Sequence, residues 1–222
     1  MERRADSTER SVRISVGDAS LEGDLALPER SRGVVLFAHG SGSSRHSPRN
    51  RRVASHLQRA GFATLLMDLL TAREEAVDLR TAELWFDIAL LADRLVAAIE
   101  WLRDDSTTGR LPIGCFGAST GAGAALVAGA ERPHDVAAVV SRGGRSDLAG
   151  SALERVPAPT LLIVGGLDTV VIRLNRKAMA RLPGEVRLEI VPGATHLFEE
   201  PGTLDEVARL ATGWFDRYLP LR

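Results

Sequence analysis

The sequence predicts an α/β fold, with one eight-stranded, mostly parallel sheet and helices on both faces. Three observations carry that expectation. Six short apolar runs, at 34–38, 63–67, 112–116, 136–140, 160–164 and 187–191, have the length and the Val, Leu and Ile content of strands buried on both faces. Helix-period segments separate most of them. Two alternating stretches come first, at 11–17 and 20–27, and read as an antiparallel hairpin at a sheet edge.

Each element has a local reason. Residues 1–10 are polar and read as a flexible tail, leaving 11–222 as one domain. Gly17-Asp18 turns the hairpin, and residues 28–33 turn the chain into the third strand. Residues 49–60 are amphipathic. Leu84, Ile88, Leu91, Leu95, Ile99 and Leu102 recur at steps of three and four, one stripe on a long helix. A small-residue helical pattern fills 122–130, and further helices are expected at 172–181 and 204–219. Thr203 and Glu206 have the spacing of a capping box for the last of these. The stretches 41–48, 68–81 and 142–159 read as irregular. All three follow strands, so they hang over the carboxyl edge of the sheet, where open α/β folds bind ligands.

Composition excludes several classes. The net charge is −1, from 28 basic and 29 acidic residues, so nothing global attracts nucleic acid or an anionic membrane. Lys177 is the only lysine, and the arginines are spread along the chain among acids. With Cys115 the sole cysteine, no internal disulfide is possible, and no Cys/His cluster has zinc spacing. The first ten residues lack the apolar core of a secretory signal, and no apolar run approaches the ~20 residues that span a bilayer. The expected setting is cytoplasmic, with no cofactor, no membrane and no nucleic acid.

The most informative segment is Gly117-Ala118-Ser119-Thr120-Gly121, between an apolar run and a helical one. In a strand–turn–helix context this G-x-S-x-G turn holds a serine in a strained conformation, its hydroxyl clear of the sheet. Side chains at 117 and 121 would collide with the neighbouring strand and helix. A serine hydroxyl is a weak nucleophile until a base takes its proton and an acid orients that base. Asp168 leaves the end of strand 160–164 through Gly165-Gly166-Leu167. His196 follows strand 187–191 through Pro192-Gly193-Ala194-Thr195. Each sits beyond the carboxyl end of its own strand, on the edge where Ser119 emerges. Asp147 is the strongest rival acid because it also follows a strand, with Glu199 and Glu200 behind it. Among the other histidines, His56 lies on a helix, His46 in a loop, His134 before a strand, and His39 closes one.

A second signature, His39-Gly40-Ser41-Gly42-Ser43-Ser44, follows strand 34–38. Backbone N–H groups of Thr120 and Ser41 are the expected donors to a developing oxyanion. A phosphate-binding reading is weaker, since this first β-α unit has neither a Gly-Lys-Ser/Thr nor a G-x-G-x-x-G run.

Taken with Gly165-Gly166-Leu167-Asp168 and Gly193-Ala194-Thr195-His196-Leu197-Phe198, these motifs make the chain resemble an α/β-hydrolase. Within that superfamily it is similar to the small, lidless dienelactone-hydrolase-like group, over nearly the whole length after residue 11. The resemblance implies acyl transfer through Ser119, His196 and Asp168 on a small ester or lactone. Dienelactone hydrolases carry cysteine as nucleophile. Here Ser119 holds that place, and Cys115 lies four residues earlier in the strand, as a buried core thiol. Cap domains in this fold are inserted before the acid's strand. The interval 141–159 is too short for one, so the site is expected to be open, with a lip from 68–81.

Arg142 and Arg145 leave the carboxyl edge of a strand, and either is a candidate partner for a substrate carboxylate. Trp85, Phe86 and Phe198 are candidate pocket walls, although Trp85 and Phe86, as long-helix residues, are more often core. The same machinery would serve a thioester or an amide. A noncatalytic binding module on this fold is the alternative from a different class. Oligomeric state is not legible.

Overall fold

In the computed structural model, residues 7–220 are described. Two long strands, β1 (Ser7–Val16) and β2 (Ala19–Pro28), form the antiparallel hairpin, turning at Gly17 with φ 54°. The hairpin starts earlier than expected, because residues 7–10 of the supposed tail pair with residues 25–28 of β2. Arg10 explains the extension: its guanidinium pairs with Asp105 and lies over the Trp101 ring, 5.7 Å from the centroid. The rest of that expected tail, residues 1–6, lies outside the described residues.

Six further strands follow: β3 (Val34–Ala38), β4 (Ala63–Met67), β5 (Ile113–Ala118), β6 (Val136–Arg142), β7 (Thr160–Gly165) and β8 (Val186–Val191). Their order across the sheet is β1-β2-β4-β3-β5-β6-β7-β8. β2 meets β4 antiparallel, and from β4 to β8 every pairing is parallel. β3 to β7 are buried almost throughout, which is why they read as apolar runs. β8 alternates polar and apolar residues because it is an edge, half exposed.

The helices are α1 (Pro48–Arg59), α2 (Ala72–Thr81), α3 (Ile88–Asp104), α4 (Thr120–Glu131), α5 (Thr169–Met179) and α6 (Thr203–Tyr218). One face of the sheet packs on α1 and α6 through Val53, Leu57, Val207 and Phe215. The other packs on α3 and α4, where Leu91, Leu95, Ile99 and Leu102 deliver the predicted stripe. The stripe's first member, Leu84, sits apart in a 3-10 turn (Leu84–Phe86), because the Asp87 carboxylate accepts the Leu90 N–H at 3.0 Å and starts α3 afresh.

Two stretches expected to be irregular are ordered. α2 occupies much of 68–81, opened by a capping box in which Thr71 and Glu74 exchange hydrogen bonds. It escapes a hydrophobic-pattern reading because its one buried residue is polar, Asp78, whose carboxylate accepts the Leu84 and Trp85 N–H groups. A 3-10 segment, Ser146–Arg155, occupies most of 142–159. The capping box expected at Thr203 and Glu206 does not form. Gly202 is the N-cap, the Thr203 hydroxyl donates back to the Glu200 carbonyl, and Glu206 pairs with Arg209.

Candidate active site

Ser119 sits between β5 and α4 with φ 50° and ψ −122°, a backbone conformation that costs about 1–3 kcal/mol for a residue with a side chain. The turn is held from both sides. Its N–H donates to the Arg142 carbonyl at 3.2 Å, and its carbonyl accepts the Arg145 N–H at 2.9 Å. The flanking glycines are steric requirements. A methyl group at 117 would stand 2.4 Å from the Ala122 Cα, and one at 121 would stand 2.4 Å from the Ala38 carbonyl oxygen. Helix α4 can lie this close to β3 and β5 only without those carbons.

His196 Nδ1 and Asp168 Oδ2 are 2.7 Å apart. A neutral imidazole facing a carboxylate places its proton on Nδ1 and leaves Nε2 as the free acceptor. Asp168 is also the N-cap of α5, where Oδ1 accepts the Val171 N–H at 3.3 Å. The two oxygens are thus divided between helix and histidine, and the helix start favours the negative charge. The two loops lock together through Leu167 N–H to the Ala194 carbonyl at 2.9 Å. A methyl at 165 would meet the Thr195 carbonyl at 2.4 Å. His196 packs against Gly143, the residue after β6, where an added methyl would lie 3.6 Å from His196 Cε1. No Ser119–His196 hydrogen bond is among those of the described residues, and in ligand-free sites such bonds often tighten only around substrate.

The loop after β3 closes over the serine. A methyl at Gly40 would stand 2.9 Å from Ser119 Cβ. Arg45 fastens the loop: its guanidinium pairs with Asp68, its N–H donates to the same carboxylate at 2.7 Å, and Glu22 accepts Nη2 at 2.6 Å. Ser41 N–H, an expected oxyanion donor, donates to the Thr120 hydroxyl at 3.1 Å.

His39 has a role that sequence reasoning missed. Its Nε2 accepts the Leu69 N–H at 3.0 Å and its Nδ1 lies 3.1 Å from the Gly40 carbonyl, tying the β3 loop to the β4 loop. The ring meets Trp85 edge-on at 5.2 Å. Burial holds its pKa below the usual histidine range, so it is neutral. Its place directly before the glycine-rich loop was the available signal.

The remaining candidates divide. Arg145 is turned to Asp147, with Nε–Oδ1 at 2.9 Å and Nη2–Oδ2 at 2.8 Å, so the rival acid and the second arginine occupy each other. Phe198 is a core residue, 1% exposed, held at φ 57°. Its ring packs beneath Gly143 and contributes little open wall. Phe86 is exposed and Trp85 buried. Arg142 is buried at the end of β6 with no hydrogen bond to its side chain among the described residues. Beside the histidine–aspartate pair, Leu167 is 63% exposed and Val170 and Leu197 also face solvent, an apolar rim unremarked in the sequence. Apolar residues adjacent to the acid and the base in glycine loops were the signal. Cys115 is fully buried in β5, where burial pushes its thiol up to about 12.

With the elbow, the pair and the order of strands in view, comparison with known proteins is decisive. The sequence profile of the Dienelactone hydrolase family matches residues 21–217. This chain belongs to the dienelactone hydrolase family. A dienelactone hydrolase from Anabaena variabilis has a similar structure, with 61% identity and a TM-score of 0.94 over 97% of this chain and 99% of that one. Est1E from Butyrivibrio proteoclasticus, 13% identical, shares the fold with a TM-score of 0.79 over 94% of this chain and 98% of its own. Two Mycobacterium tuberculosis proteins, from strains CDC 1551 and H37Rv, are each named a putative phosphoribosyl transferase. Each is 59% identical over 208 residues, covering 94% of this chain. The chain spans 46% of the length of these curated relatives. As a dienelactone hydrolase family member the protein has the α/β-hydrolase fold, and among its described residues no helix is long and apolar enough to cross a membrane.

Proposed function

We propose that this family member is a serine hydrolase that cleaves small carboxylic esters or lactones in the cytoplasm. The observation that carries the reading is the 2.7 Å His196–Asp168 pair on the same sheet edge as the strained Ser119. His196 Nε2 takes the Ser119 proton as Oγ attacks the carbonyl carbon. Asp168 stabilises the resulting imidazolium and fixes its orientation. Thr120 N–H and Ser41 N–H hold the oxyanion, the latter once the Thr120 hydroxyl turns away. Collapse expels the alcohol, which leaves with the proton from His196. Water, deprotonated by the same nitrogen, then releases the acid. The exposed Leu167, Val170 and Leu197 supply an apolar rim for the acyl or alcohol part. Thioesters and amides would use the same groups.

The transferase name of the Mycobacterium relatives belongs to proteins more than twice the matched length, and the matched part is the one that the hydrolase family profile covers.

The test compares p-nitrophenyl acetate hydrolysis by wild type and Ser119→Ala, with mass spectrometry after fluorophosphonate treatment. Activity and one adduct on Ser119, both lost in the variant, are expected. A folded wild type with neither would favour the second reading, a noncatalytic binding module. The observation on that side is the Ser41 N–H already occupied by Thr120.

A further inference from the structure

Asn175 lies inside α5, 0% exposed. An asparagine within a helix has poor propensity, and a buried amide costs free energy unless its groups are bonded. Here they are. Nδ2 donates to the Gly144 carbonyl at 2.8 Å and to the Val171 carbonyl, one turn back, at 2.9 Å. Oδ1 accepts the Ser146 hydroxyl at 2.9 Å. Two carbonyl partners on one side and a hydroxyl on the other fix the direction of the amide, since a flipped oxygen would face two carbonyl oxygens.

The bond to Gly144 leads to the nucleophile. The Gly144 carbonyl and the Arg145 N–H belong to one planar peptide, and that N–H donates to the Ser119 carbonyl at 2.9 Å. The Ser119 carbonyl and the Thr120 N–H belong to a second. Thr120 N–H is among the first N–H groups of α4, which have no partner within the helix. Two rigid peptides therefore run from a buried side chain to the expected oxyanion donor. In a trans peptide the C=O and N–H point opposite ways, so fixing one end aims the other. Each hydrogen bond donated into a carbonyl also polarises the N–H of the same peptide and strengthens the next bond. The Ala122 N–H, at 3.1 Å, shares the Ser119 carbonyl and steadies the second peptide from the helix side. The first peptide is tightly enclosed: a methyl on Gly144 would stand 1.9 Å from Ser141 Oγ and 2.5 Å from Ala122 Cβ.

We propose that Asn175 is a positioning residue for hydrolysis, acting through the Gly144–Arg145 and Ser119–Thr120 peptides to aim and polarise the Thr120 N–H. This role rests on the serine-hydrolase reading. Fully buried, Asn175 touches no substrate, so any effect on the reaction passes through its partners. Its helix begins at Asp168, about two turns earlier, so one element carries both the acid and the buttress of the elbow. Of these two routes to the chemistry the geometry favours the elbow. Nδ2 bonds the peptide that holds Ser119, whereas Asp168 is fixed by its own bonds to the Val171 N–H and His196.

The experiment measures p-nitrophenyl butyrate hydrolysis per active site, counted with a fluorophosphonate. Inhibition by an alkyl trifluoromethyl ketone, whose tetrahedral adduct with serine carries the oxyanion, is measured alongside. Asn175→Leu keeps the volume and removes both donors. Its kcat should fall about tenfold, less than the loss of a direct oxyanion donor, with KM within about twofold of wild type. The Ki of the ketone should rise by the factor by which kcat/KM falls. The pH profile of kcat/KM should keep its midpoint and lose only plateau height, because the His196–Asp168 pair is untouched. Ser146→Ala is the structural control. It removes a buried hydrogen bond to the same amide, whose direction the two carbonyls still fix. Its Tm should fall by about 2–4 °C while kcat per site stays at the wild-type value. If Asn175→Leu does not fold, Asn175→Ser serves. Its hydroxyl can still bond the Val171 carbonyl one turn back but is too short to reach Gly144, so the same fall in kcat is expected. An unchanged kcat per site in the Asn175 variants, a ketone Ki that does not move, a kcat fall matched by Ser146→Ala, or a shifted pH midpoint would overturn the proposal. Hydrolysis that depends on Ser119 but not on Asn175 would leave the hydrolase reading intact. A folded wild type with neither hydrolysis nor adduct would overturn that reading, and this role with it.

Discussion

The Thr120 hydroxyl accepts the Ser41 N–H at 3.1 Å, so one of two expected oxyanion donors is satisfied before any substrate arrives. Thr120 is itself buried, and its own N–H belongs to the helix start that would hold the same oxyanion. In the proposed mechanism the substrate oxygen replaces a side-chain oxygen at Ser41, and the resting site gives up a neutral hydrogen bond in doing so.

Thr120→Ala removes that competitor. A neutral hydrogen bond contributes about 1 kcal/mol net, so kcat/KM for p-nitrophenyl butyrate should rise by a few-fold, while Thr120→Ser stays near wild type. A comparable fall in the alanine variant would instead make the hydroxyl a third donor to the oxyanion. Steady-state kinetics of the three proteins decides between these.

Gly121→Ala tests the packing behind the elbow. Its methyl would lie 2.4 Å from the Ala38 carbonyl oxygen and 2.5 Å from that of His39, both backbone atoms that cannot swing aside. Destabilisation of about 2 kcal/mol or more, read as a clear fall in Tm, is expected. Under the proposed function, p-nitrophenyl butyrate hydrolysis should fall by more than the folded fraction does, because β3 and the loop after it are what must move. An alanine variant with wild-type Tm and activity would mean that α4 has room to retreat.

How far these features were legible depends on whether they are local in sequence. The buried strands announced themselves because a parallel strand covered on both faces has no polar side to confuse the pattern. The glycine spacing of the elbow likewise reports a steric need five residues long. α2 was missed because its stability comes from the Thr71–Glu74 box and the buried Asp78, not from an apolar stripe. At Thr203 the same box spacing failed, since the carbonyl of Glu200 was a nearer partner for the hydroxyl. The Arg145–Asp147 fork joins residues two apart, but that spacing alone does not distinguish an internal ion pair from an arginine free to meet a substrate. The Ser41–Thr120 bond joins residues far apart in the chain. Only the packed sheet brings them together.

His39 makes stability depend on pH near neutrality. Burial depresses its folded pKa below the unfolded value, so the unfolded state binds the proton more readily. Its contribution is complete above the unfolded pKa and is lost as pH falls through the folded one. Urea unfolding between pH 7.5 and 5 should show stability declining toward acid, with a shallower decline in His39→Gln. Identical slopes in the two proteins would remove His39 as a source of that dependence.

Asp105 sets a second, more acidic limb. Burial alone would raise its pKa, but the Thr107 hydroxyl, Arg10 and the Thr107 N–H at 3.0 Å together lower it to about 2. A depressed carboxylate contributes stability above its unfolded pKa of 3.8 and loses it as pH falls toward about 2. Solvent screening of this partly exposed cluster keeps the effect to about 1 kcal/mol. Asp105→Asn should therefore be less stable at pH 7 and converge on wild type near pH 2. Because Arg10 anchors the start of β1 through this carboxylate, the variant should also lose amide protection at residues 7–10 first. Hydrogen exchange that leaves those residues as protected as in wild type would mean that the ten-residue pairing with β2 holds the strand without Arg10.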